Sequence, residues 1–210
     1  MKIELLLNVS NYDFNSNSNP TDVENKLKDF CGEICSHLNL TAPEIRFYNE
    51  ADSVGESDPF REPDLYHLSD PYDYPCPFED DPCAHPLNQV AKYSYFDGVL
   101  YVRTDYMRED ILELLQYAVA RELTKMWILT NRDKDWYNYP CSEVPESWYL
   151  LMIPDAFASV LMTKYHKSKK WDRFGIGELN DSWWIDFSEA IELCEKELKM
   201  LEDPDRFYRE

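Results

Sequence analysis

A single carboxylate interrupts an otherwise apolar helical face. Between residues 107 and 130, Ile111, Leu115, Ala118, Glu122, Met126 and Leu129 recur at the i, i+3, i+4 spacing of one side of a helix. An ion buried on such a face is expensive without a partner. Two cations stand close by: Arg121, and one turn later Lys125, on a shared side of the helix. A second acid, Asp155, lies in the later apolar run Leu150–Met162. Two chemistries follow. Glu122 and Asp155 could exchange protons as an acid–base pair. Alternatively, Arg121 and Lys125 neutralise the two carboxylates and lock two helices together, with arginine giving the contact a defined geometry. The plainer reading is an amphipathic helix whose charges face water.

A second set of chemically capable residues is His67, Cys76, Cys83 and His85, in a proline-stiffened loop. Imidazole and thiolate suit zinc, but six residues separate the cysteines and no zinc-finger spacing fits. Ordinary loop packing competes with a metal site here, as does a Cys76–Cys83 disulfide in an oxidising compartment. Cys31 and Cys35, four apart, are a third candidate pair. Cys31 falls on the inner face of its helix, and the pair reads as core thiols.

The elements that must position these groups can be read in outline. Alternation at Ile3, Leu5, Leu7 and Val9 predicts a strand. Thr21 with Glu24 forms a capping box that starts a helix, with Val23, Leu27, Phe30, Cys31, Ile34 and Leu38 inward. Glu44–Tyr48 is a second short strand. Lys92–Arg103 carries Asp97-Gly98 between two β-rich runs, which predicts a hairpin with a two-residue turn. One hairpin strand is expected at a sheet edge, where Tyr93, Tyr95, Val99 and Tyr101 are candidates to receive an extended peptide by strand addition. A purely structural hairpin is the alternative. The helix at 107–130 follows. Another runs from about Ser142 to Tyr165, kinked or divided at Pro154. A closing helix spans about 186–202, with Phe187, Ala190, Ile191, Cys194, Leu198 and Leu201 inward.

Composition bounds the rest. The chain has 210 residues, 44% hydrophobic and 15% aromatic, enough for a packed core. Its net charge of −20 repels nucleic-acid backbones and anionic membranes and favours cationic partners or solubility. Half of that charge sits in residues 50–90, where eleven acids face only Arg61 among seven prolines. A loop of that length is usually functional or loosely ordered. Lys164, His166, Lys167, Lys169, Lys170 and Arg173 form the one basic cluster, at the end of the second long helix. It suits that helix's dipole and is also placed to pair with the acidic loop. No stretch is long and apolar enough to span a membrane. The opening residues lack the length and cleavage site of a signal peptide, so a cytoplasmic location with free thiols is expected. The chain reads as one α+β domain over 1–210. It has an acidic Pro-rich insertion at about 50–90 and a C-terminal helical extension at about 166–210.

The string Arg121-Glu122-Leu123-Thr124-Lys125 resembles the H-E-x-x-H motif of zinc peptidases with both histidines replaced. The order strand, helix, strand, hairpin, motif helix, acid-bearing helix is similar to that of the ImmA/IrrE-like metallopeptidases. There a later helix carries an acidic third ligand in a pattern resembling E-x-x-A-[ND]-x-F-A, matched here by Asp155-Ala156-Phe157-Ala158. The resemblance covers roughly residues 1–50 and 90–165. It implies a small zincin-like domain: a short antiparallel sheet, a hairpin, and a central motif helix packed by further helices.

The resemblance also implies a general-base position at Glu122 and a site that has lost its zinc. Arginine stays protonated and lysine gives up its proton only at large cost, so neither is a zinc ligand. The family's liganding acid falls at residues 151–153, here Leu151, Met152 and Ile153. Without metal-bound water Glu122 has no nucleophile to activate. The expectation is therefore a catalytically inactive protein with no cofactor. It would serve as a binding or regulatory module for a protein or peptide partner, as in bacterial or phage relatives. The alternatives are a divergent metal-dependent hydrolase using Glu122, and an acidic protein binding a basic partner through residues 50–90.

Overall fold

The computed structural model describes residues 20–49, 59–61, 87, 90–94, 96–130, 146–167 and 187–202. Among these are four α-helices and a three-stranded mixed sheet: α1 (Pro20–His37), β1 (Glu44–Tyr48), β2 (Ala91–Ser94), β3 (Val99–Arg103), α2 (Leu112–Thr130), α3 (Glu146–His166) and α4 (Phe187–Glu202). The expected strand at 3–9, the His67/Cys76/Cys83/His85 loop and most of the acidic insertion lie outside the described residues. No helix among the described residues is long and apolar enough to cross a membrane.

Helix α1 begins at Pro20, one residue before the capping box, because proline's fixed φ suits a first helical position. Val23, Leu27, Phe30, Cys31, Ile34 and Leu38 are buried as their spacing predicts. Cys35 joins them, and both thiols are free. The helix ends on Asn39 in the left-handed conformation (φ 52°), which lets the Leu40 amide return to the Cys35 carbonyl at 2.9 Å.

The sheet order is β1-β3-β2. β2 and β3 are antiparallel, but β1 runs parallel to β3, with Glu44 opposite Val99 and Tyr48 opposite Arg103. This corrects the expected antiparallel sheet. A parallel neighbour needs a long crossover, and the acidic stretch after Tyr48 supplies the length. Leu100, Val102 and Ala91 are buried in the core, and Ile45 and Phe47 pack against it.

The hairpin turn also differs. Ser94 pairs with Val99, so the loop is residues 95–98 rather than Asp97-Gly98 alone. A two-residue type I′ turn requires positive φ at both positions, and only Gly98 has it (φ 74°). The loop is closed by the Gly98 amide on the Ser94 carbonyl (3.0 Å). Asp97 accepts from the Val99 amide (3.2 Å) and the Tyr101 hydroxyl (2.6 Å).

Burial pulls the Asp97 carboxyl up, but hydrogen bonds from Tyr101, Ser94 and the Val99 amide, with the charge of Arg46, outweigh it and hold the group below its usual range. A carboxyl depressed on folding stabilises above its unfolded pKa and ceases to as pH falls through the folded one. Between about pH 4 and 2, set by the unfolded carboxyl value, the native chain should therefore lose stability more steeply than Asp97→Asn. Urea unfolding across that range measures it, and parallel slopes would refute the role given to Asp97.

Helix α2 starts later than its pattern suggests. Residues 104–106 and 109–111 form two 3₁₀ turns, and α-helix begins only at Leu112. Arg108 between them is extended (φ −129°, ψ 140°) and its guanidinium turns back onto Asp110. The expected one-sided burial is also corrected. From Leu114 through Lys125 every residue of α2 is buried, because α1, α3 and β2 enclose it. Helix α3 runs unbroken through Pro154 rather than dividing there. Trp127 of α2 packs on Phe157 of α3, ring centroids 5.2 Å apart. Helix α4 packs mainly on α3 through Leu193, Cys194 and Leu198.

In the basic cluster, Lys164 pairs with Glu202 of α4, and His166 Nε2 lies 3.0 Å from Gln116 Oε1 of α2. Lys169, Lys170 and Arg173 lie outside the described residues.

Candidate functional site

Enclosure of α2 brings Arg121, Glu122 and Lys125 inside the protein, and α3 brings Asp155 to meet them. Their exposures are 3%, 2%, 1% and 0%. Lys125 Nζ lies 2.7 Å from Glu122 Oε1, and Arg121 Nη1 lies 3.4 Å from the same oxygen. Arg121 Nε lies 3.3 Å from each Asp155 oxygen. Two cations thus face two carboxylates in a space closed to water. Each of these ions would cost several kcal/mol to bury alone. The reading in which Arg121 and Lys125 sit in solvent is excluded.

The second Glu122 oxygen does a different task. It accepts the Tyr93 backbone amide at 3.0 Å. The Arg103 amide donates to the Val90 carbonyl, so in this antiparallel ladder residues 90, 92 and 94 bond to β3 and Tyr93 faces away from it. Glu122 therefore satisfies an amide on the outer side of β2 and ties the hairpin to α2.

The expected hairpin strand at a sheet edge is β2, and the four candidates for receiving a peptide do not all lie on it. Val99 and Tyr101 belong to β3, the central strand, whose backbone is engaged by β1 and β2. Tyr93 is on the bordering strand, but its amide is already taken. Tyr95 lies outside the described residues. The Tyr101 hydroxyl serves the turn through Asp97.

One residue absent from the sequence reading joins the site. Tyr117, fully buried, donates its hydroxyl toward the Asp155 carbonyl (3.1 Å) and carboxylate (3.2 Å), and lies 3.4 Å from Ser159 Oγ. Burial, then the charge of Asp155, pushes the phenol well above its usual range, so it stays a neutral donor. Tyr117 stands one turn before Arg121, so continuing the 121–125 stripe backward would have found it. Lys92 on β2 is also buried, at 5% exposure, and no helical or strand periodicity flags it.

The donor set does not fit a zinc ion. At positions 121 and 125 stand permanent hydrogen-bond donors, each turned onto a carboxylate. Among the described residues no group of three or more His, Cys, Asp or Glu side chains is gathered to hold a metal. The four candidates His67, Cys76, Cys83 and His85 lie outside those residues. Glu122 and Asp155 are both buried, and each carboxylate is engaged by a cation. What the arrangement does chemically is hold charge: it fixes α2 against α3 and against β2. Comparison with protein-family models, with curated proteins and with solved structures finds no match.

Proposed function

We propose that this chain is a catalytically inactive, zincin-like protein of the ImmA/IrrE type, serving as a binding or regulatory module. The observation that carries the reading is the placement of Arg121 and Lys125. Both cations are buried at the two motif positions where a peptidase of that type would hold zinc; Arg121 contacts Glu122 and Asp155, and Lys125 contacts Glu122. The order β1, hairpin, α2, α3 supports the same reading, with α3 delivering Asp155 to α2. Fixed cations replace a divalent ion electrostatically but cannot activate water as zinc does. The −20 net charge suits a protein or peptide partner of basic chemistry.

The test is hydrolysis of unfolded casein and of a mixed peptide library by the full chain, with added zinc and with chelator. No cleavage is expected in either condition. Cleavage abolished both by chelator and by Glu122→Gln would overturn the proposal.

A further inference from the structure

We draw no further inference here: the strongest candidate, the side-chain cluster where the ends of α1, α3 and α4 bring His37, Lys164 and Glu202 together, carries nothing because its one pointer to a function is a depressed proton affinity at His37, which geometry alone does not support.

Discussion

Arg121→Met is expected to destabilise the protein by about 3–5 kcal/mol, the usual consequence of removing one member of a buried ion pair. For a chain of this size that is a fall of roughly 6–20 °C in the unfolding midpoint. The methionine keeps most of the side-chain volume, so the loss reports charge more than packing. Arg121 is the cation that meets Asp155, whose side chain is fully buried. Without it two carboxylates share Lys125. The double variant Arg121→Met with Asp155→Leu removes one charge of each sign and leaves Lys125 opposite Glu122. Tyr117 keeps the Asp155 backbone carbonyl, 3.1 Å away, as its acceptor. The double variant should therefore be more stable than Arg121→Met alone, since apolar replacement of a whole buried pair is often neutral. A single variant within 1 kcal/mol of the parent, on the scale of an exposed pair, would show that the guanidinium is no counter-ion.

Glu122→Gln is expected to cost a similar amount, about 3 kcal/mol or more, for the opposite reason. It leaves Arg121 and Lys125 together with Asp155 as the only remaining carboxylate of the four. The glutamine oxygen can still accept the Tyr93 amide. Glu122→Ala removes that acceptor too, which adds roughly 1–3 kcal/mol for an unsatisfied buried donor. Hydrogen exchange separates the two effects. The Tyr93 amide should stay protected relative to its neighbours in Glu122→Gln and lose protection in Glu122→Ala. Equal protection in both variants would mean that Glu122 does not hold β2 to α2. Adding Lys125→Met to Glu122→Gln restores charge balance and should recover part of the stability.

Much of this fold was legible where periodicity is strong and local. The α1 inner face follows from apolar residues at helical spacing, and each of Val23, Leu27, Phe30, Cys31, Ile34 and Leu38 is buried. Glu44–Tyr48 and the hairpin pairing were visible from β-rich runs. The parallel partnership of β1 with β3 was not, since it depends on a crossover through residues that carry no periodic signal. The turn at Asp97-Gly98 misled because the dipeptide usually adopts a type I′ turn. Here the Asp97 side chain has better partners in Val99 and Tyr101, and a longer loop delivers it to them.

The site shows the same division. Arg121, Glu122, Lys125 and Asp155 stood out as charges in apolar surroundings, and the structure brings all four together. Their complete burial did not follow from the α2 pattern. Apolar residues at one helical spacing describe a helix with one face covered, whereas α2 is covered by α1, α3 and β2. Burial on the remaining sides takes in Gln116, Thr124 and Lys125, residue types that read as surface in a sequence. The Tyr93 amide was invisible because a backbone donor has no residue signature.

The measurement that bears most directly on the central claim is the metal content of the full chain purified without chelator or metal-affinity steps, paired with its unfolding midpoint with and without a strong chelator. If Arg121 and Lys125 supply the positive charge that a divalent ion would otherwise bring, the protein carries no stoichiometric zinc and chelator leaves the midpoint unchanged. One zinc per chain, lost to chelator together with stability and retained less well by Glu122→Gln, would contradict the account.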